Sequence, residues 1–196
     1  MSEAAHTALY DSPDTEKPAG FGRPIDDPSL QKMTADGTAV FGEAVAMVAD
    51  ALGVELDDVV CEAEYAQTTT DLDLGSWQIA AGCVAGVAAS WQGRVGDRTV
   101  VELNVRWKKA AKLEPDWQIE DGYVIEVQGR PTVRTTLEFL PPPDFQAETL
   151  ADFMVLGHIM TAMPAINAIP AVVAAAPGIV SYPDLRLPLP RGLVRP

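Results

Sequence analysis

Cysteine is nearly absent from this chain: Cys61 and Cys83 are its only two, and neither belongs to a CxxC pair or a Cys/His cluster. No disulfide framework and no metal site is therefore expected, and two buried, reduced thiols in strand-like segments are the simple reading. Basic residues are scarce as well, with 14 Lys and Arg against 28 Asp and Glu and a formal net charge of −14. Such a surface repels a phosphate backbone, and no Lys/Arg stripe with interleaved aromatics reverses the sign locally, so nucleic acid is not an expected partner. No GxGxxG, P-loop, HExxH or Ser-His-Asp spacing occurs, which removes the motif-based readings of a dinucleotide, NTP, zinc-peptidase or triad-hydrolase site. No charged n-region leads into an apolar h-region, and a cytoplasmic location is expected.

What the chain does have is one long uncharged run. From Phe153 to Pro183, FMVLGHIMTAMPAINAIPAVVAAAPGIVSYP carries no Asp, Glu, Lys or Arg. A spanning helix needs roughly 20 predominantly apolar residues, so length alone permits a membrane anchor. The details point elsewhere. His158 and Asn167 lie inside the run, Pro164 and Pro170 each remove a backbone donor, and Glu148, Asp152 and Asp184 flank it where a Lys/Arg cluster would mark a membrane boundary. The expectation is a buried helix, broken at the prolines, and no membrane partner.

At 196 residues and 47% hydrophobic, the chain can bury one sizeable core. Residues 1–36, with Pro13, Pro18, Pro24, Pro28 and Gly20-Phe21-Gly22, predict an extended N-terminal arm, and residues 37–196 a single α+β domain. Val40, Phe41, Ala44, Val45, Val48, Ala49 and Leu52 recur at helical spacing ahead of Gly53, a natural C-cap. Between Asp57 and Pro141 the period drops to two and β-branched and aromatic residues become frequent, predicting about six strands in a mainly antiparallel or mixed sheet. Arg94-Val95-Gly96-Asp97 reads as a hairpin connection. In the strand that follows, Val101, Leu103, Val105 and Trp107 share one face and Glu102, Asn104, Arg106 and Lys108 the other. The first face is core covered by helices, the uncharged run among them. The second, with Glu62, Glu64, Arg134 and Glu138, meets solvent or another subunit.

The segments GFGRP (Gly20 to Pro24), TTTDLDLG (Thr68 to Gly75), AAGCVAGVAASWQGRVGDRTVVELNVRW, and MPAINAIPAVVAAAPGI followed by DLRLP together resemble a known family half. They are similar to the C-terminal, substrate-side region of dihydrodipicolinate reductase-like NAD(P)H-dependent oxidoreductases, which include diaminopentanoate dehydrogenase-like enzymes. The likeness runs from about Tyr10 to Leu189. It implies an α+β domain whose sheet and helices close a substrate pocket, with the sheet often used for oligomerisation. It brings no Rossmann half, no paired histidines and no Lys-Asp-Pro-Ser-Gly-Thr pattern.

Several side chains are candidates for chemistry. His158 can act as an acid, base or carbonyl donor near neutral pH, and is otherwise a packing residue. Asn167 can hydrogen-bond a carbonyl of a substrate or of the backbone freed at the prolines. Tyr65 is a third catalytic candidate, while Trp77, Trp107, Tyr123, Met154, Met160 and Met163 are candidates to line an apolar pocket. Asp71 and Asp73 read better as turn residues than as paired acids. An apolar pocket without a nucleotide motif suggests a cofactor-independent cyclase or isomerase of a hydrophobic small molecule, such as a pericyclase acting on a polyene or polyketide in secondary metabolism. The alternatives are the substrate subunit of a split NAD(P)H-dependent reductase and a non-catalytic binder of hydrophobic ligands. A homo-oligomer, dimer or tetramer, is expected through the polar sheet face.

Overall fold

The computed structural model describes residues 1–8, 12–119, 122–146, 148, 152 and 154–186, together with the backbone of the elements named below. The chain divides into two compact units, Met1–Leu140 and Pro141–Pro196.

The first unit is built on a six-stranded mixed sheet. Its strands are β1 (Ser2–His6), β2 (Asp58–Gln67), β5 (Val84–Val95), β6 (Arg98–Lys108), β7 (Gly122–Val127) and β8 (Val133–Leu137), in the order β2-β5-β6-β1-β7-β8. A short ribbon, β3 (Leu72–Asp73) with β4 (Gln78–Ile79), stands apart. The long β5–β6 hairpin turns at Gly96, whose φ of 56° is the left-handed conformation anticipated for that position. Among the described residues only β1 pairs in parallel, along β6, and it is antiparallel to β7 on its other edge.

Residues 1–36, expected as an extended arm, are structured. They supply β1 in the interior of the sheet, α1 (Pro13–Glu16), a 3-10 turn (Lys17–Ala19) and α2 (Leu30–Gly37). The prolines that suggested an arm sit at helix starts and turns, where a missing N–H costs nothing: Pro13 opens α1 and Pro18 falls in the first residues of the 3-10 turn.

Cross-strand register separates two faces. Ala63, Ala89 and Val105 stand opposite one another, as do Tyr65, Val87 and Trp107, and these rows form the face covered by α2 and α3 (Ala39–Ala51). Val45 and Ala49 of α3 are buried with Val87, Ala89, Trp91 and Val105. Burial of such side chains contributes about 1.5–3 kcal/mol each for the larger ones. Gly42 lets α3 descend onto Trp91, since a Cβ there would lie 2.6 Å from the indole Cζ3. The Trp91 indole N–H donates to Thr38 Oγ1 at 3.0 Å, and Thr38 Oγ1 donates in turn to the Thr34 carbonyl at 2.6 Å. The other face carries Glu62, Glu64, Ser90, Glu102, Asn104 and Arg106, as the alternation predicts. Lys108, placed by periodicity on that polar face, is instead buried, its ammonium donating to the carbonyls of Ala111 and Trp117 and pairing with Asp116 at 3.2 Å.

The second unit contains α4 (Met154–Ala174) and a closing 3-10 turn, Tyr182–Asp184. Two expectations fail here. The run is one continuous helix through Pro164 and Pro170, and most of its residues are exposed, with Ala168 the one buried among those described. An exposed helix tolerates an internal proline because the carbonyls it frees can turn to water. Val155–Ala174 meets the length and apolarity of a spanning helix by composition, and equally those of a helix that packs against another protein segment.

Two variants probe the first unit. Gly42→Ala forces a methyl into the Trp91 ring and should lower urea stability by about 1–3 kcal/mol. Glu16→Leu strands the buried Lys109 ammonium, its ion-pair partner, and should cost about 3–5 kcal/mol, whereas the Glu16→Leu/Lys109→Met double variant should recover most of that loss.

Candidate functional site

GFGRP forms a turn that only glycine accommodates at two positions, Gly20 at φ 107° and Gly22 at φ 78°. The turn is stitched to the start of β5: Gly22 N–H donates to the Val84 carbonyl at 2.9 Å, Val84 N–H to Arg23 at 2.8 Å, and Ile25 N–H to Gly82 at 3.2 Å. Phe21, 2% exposed, points its ring into the core cluster with Leu30, Ile79 and Val87. The second segment, TTTDLDLG, leads through Gly75 into Trp77. Asp73 accepts from Gly75 N–H at 3.0 Å and Asp71 from Ala81 N–H at 2.9 Å, so both aspartates shape the loop, as turn residues do.

The two segments, Gly20 to Pro24 and Thr68 to Gly75 with its following Trp77, are separated in sequence by α2, α3 and β2 and meet at one place. A Cβ on Gly22 would lie 3.0 Å from Trp77 Cζ3, so the missing side chain is what lets the indole lie against the turn. Together they wall a groove of about 490 Å³, whose apolar sides are Phe21, Met33 and Trp77 and whose polar rim is Lys17, Arg23 and Gln78. The Lys17 ammonium stands 5.3 Å from the Trp77 ring centroid, a cation–π distance. Arg23 is tied to the Asp27 carboxylate, which also accepts from the Ser29 hydroxyl at 2.6 Å and backbone N–H at 2.9 Å. Those Ser29 hydrogen bonds, with Arg23, lower the Asp27 pKa to about 2.

A second cavity, about 820 Å³, lies over the polar sheet face. It is lined by Glu3, Glu62, Glu64, Glu102 and Arg106; Glu62 pairs with the neighbouring Arg94 at 2.8 Å, Glu102 accepts from Ser90 at 3.0 Å, and Arg106 lies 5.6 Å from the Trp117 ring.

Of the predicted pocket residues, Trp77 alone lines the groove. Tyr65 is committed beneath it: its hydroxyl lies 2.8 Å from Thr34 Oγ1, and Thr34 Oγ1 donates to the Ala19 carbonyl at 2.8 Å. With the threonine proton spent on Ala19, tyrosine is the donor, and burial raises the Tyr65 pKa. Tyr65 thus braces the GFGRP turn as a positioning residue. Trp107 faces α3, with its ring 5.9 Å from Phe41 and its indole N–H on Glu3 at 3.2 Å. Tyr123 meets Phe139 edge-on at 5.6 Å. Trp107 and Tyr123 line neither cavity.

The remaining candidates lie on α4, in the other unit. His158, Asn167 and Met163 are exposed and Met160 is half-buried, while the side chain of Met154 lies outside the described residues, as does Phe153. At about 100° per residue, His158 and Asn167 fall on opposite sides of the helix and cannot converge on one group, whereas Met160, Met163 and Asn167 share a face. Sequence reasoning missed Lys17, Phe21, Arg23, Met33 and Gln78. The Gly-x-Gly spacing of the turn was the available signal for Phe21 and Arg23; Lys17 carried none.

This α+β substrate-side architecture has recognisable relatives. The profile of the 2,4-diaminopentanoate dehydrogenase C-terminal domain family matches residues 26–195, and the chain belongs to that family. The match takes in Met33, Trp77 and Gln78, and begins just after the GFGRP turn. An amine dehydrogenase of Streptomyces virginiae is 26% identical over 189 residues, which cover 93% of this chain and 50% of that protein. The structure of the amine dehydrogenase from Mycobacterium smegmatis superposes with a TM-score of 0.62 at 16% identity, covering 97% of this chain and 51% of that one, and shares the fold. The chain thus spans about half the length of these relatives. These matches overturn the expectation of a cofactor-independent cyclase or isomerase, the polyketide and pericyclase readings with it, and a purely hydrophobic substrate as partner: the family and both relatives are dehydrogenases.

The Arg23–Asp27–Ser29 clasp gives a pH test. Because the folded pKa of Asp27 is depressed from 3.8 to about 2, its stabilising contribution is full above the ordinary carboxylate range and is lost as pH falls through about 2. An NMR titration of the Asp27 carboxyl carbon should show its midpoint near 2, and Ser29→Ala should move that midpoint up towards 3.8 by more than Arg23→Met does.

Proposed function

We propose that this chain is the substrate-side half of an NAD(P)H-dependent amine dehydrogenase-type oxidoreductase, which interconverts an amine-bearing carbon and a carbonyl. The observation that carries the reading is the family match over residues 26–195 in a chain that spans only half of its amine dehydrogenase relatives.

Among the described residues the GFGRP turn does not form a cradle for a dinucleotide. The GFGRP turn lacks the third glycine of the dinucleotide fingerprint and ends in Pro24, and it does not run from a strand into a helix N-terminus: it leaves a 3-10 turn and bonds to the first residue of β5. The hydride chemistry that a nicotinamide supplies therefore belongs to the length of the relatives outside these 196 residues. What remains to this chain is binding and orientation. The groove beside Trp77 has apolar walls for a carbon skeleton and a polar rim that fixes its direction, and holding the reacting carbon in one pose supplies much of what a hydride transfer needs. The glycines at 20 and 22 and the brace from Tyr65 keep the wall rigid.

Purification from the native source, with any polypeptide that accompanies this chain, tests the reading. The assembly should form reduced nicotinamide from NAD(P)⁺ only when a primary amine is added, and the isolated chain should form none. Absence of a dinucleotide-binding companion, together with no amine-dependent reduction across short-chain amines and amino acids, would sink it.

A further inference from the structure

We infer that this chain binds a second copy of itself through the edge strand β8, the two sheets joining antiparallel about a two-fold axis. The open edge is the first reason. β8 ends the order of the sheet, with no strand on its outer side among the described residues, and all five of its residues, VRTTL, are exposed. It pairs with β7 in unbroken register and contains no proline, and its single charge, Arg134, is spent on Glu126 at 3.2 Å. The opposite edge is defended against strand addition: β2 carries Asp58, Glu62 and Glu64, and its ladder is irregular between Ala66 and Gln67. An edge without those defences is a template for another strand.

The second reason is the face beside that edge. Val105, Glu3, Tyr123 and Leu137 stand opposite one another across four strands, so the face that α2 and α3 cover over β2, β5 and β6 continues onto β7 and β8. There it is apolar and open. Val127 and Val133 are 60% and 52% exposed, and Ile125 and Leu137 are exposed beside them. This strip of β7 and β8 carries no charge, so in a chain of net charge −14 it lets two copies meet without carboxylates in register.

The pattern of β8 names the occupant. A two-fold axis normal to the sheet leaves the apolar sides of both copies facing the same way, so residues directly opposite must share parity. The axis therefore passes through a residue, and Thr135 is the middle one. Val133 then meets the partner's Leu137, and Arg134 meets the partner's Thr136, each copy keeping its own Glu126 pair. Apolar faces apolar and the one cation faces a hydroxyl, which are favourable cross-strand pairs. One such edge per copy closes the assembly at a dimer, joined at the edge of the sheet and not on its glutamate-lined face.

The test is sedimentation equilibrium of the full chain and of variants at Thr135. The parent should dimerise, more tightly as salt screens the two acidic copies. Thr135→Lys sets two ammonium groups opposite each other and should weaken the dimer by at least about tenfold, with its circular dichroism unchanged. Under mild oxidation Thr135→Cys should form an intermolecular disulfide, located by mass spectrometry, because residues on the axis lie within disulfide reach; Glu64→Cys, on the polar face, should not. The inference is overturned if the parent stays monomeric at about 0.1 mM, if Thr135→Lys dimerises as tightly as the parent, or if Glu64→Cys cross-links and Thr135→Cys does not. A parent that shows no self-association, yet carries another protein that Thr135→Lys sheds, assigns the edge to a foreign strand and overturns it equally.

Discussion

A lysine ammonium withdrawn from water, that of Lys109, sits against the Glu16 carboxylate with both residues buried. Isolating either charge from solvent is costly, and the arrangement holds only while both partners and their further hydrogen bonds stay in place. Lys109 also donates to the Thr7 carbonyl at 2.8 Å, and its ammonium lies 5.7 Å from the Phe21 ring. One side chain at the end of β6 thereby fixes the end of β1, the helix α1 and the underside of the GFGRP turn. Because the requirement is electrostatic, it specifies which N-terminal residues must reach the sheet in a way that apolar packing alone would leave loose.

Everything that makes the groove follows from that anchorage. With Phe21 held beneath, the turn can run in left-handed backbone at Gly20 and Gly22, its amides can engage β5, and Trp77 can close over Gly22. Tyr65 and Thr34 brace the same turn from β2 and α2. The wall is thus held by groups from several elements, each hydrogen-bonded or packed. The polar sheet face has a different physical character, since glutamates predominate in its lining and Glu62 is paired across strands with Arg94.

Much of the sheet was legible in advance because strand alternation is a local property. The faces assigned to Val101 through Trp107 are those that the register shows, the hairpin at Gly96 turns where expected, and α3 ends against Gly53 as its spacing predicts. The failures share one cause. Proline-rich residues 1–36 read as an arm because nothing local says that Ser2–His6 will insert between β6 and β7, partners roughly a hundred residues away. Tyr65 and Trp107 were plausible pocket residues by type, and their hydrogen bonds to Thr34 and Glu3 are long-range facts. His158 and Asn167 were grouped by chemistry in one run, and a continuous helix sets them on opposite sides.

The sequence by itself determined the fold class, the two-faced sheet and the family, because periodicity, turn residues and motif spacing are written along the chain. Tertiary structure alone decided where the candidate groove lies. Lys17, Phe21, Gly22 and Trp77 carry no shared pattern, and only the folding of a buried ion pair, a left-handed turn and an indole onto the start of β5 brings them into a single groove.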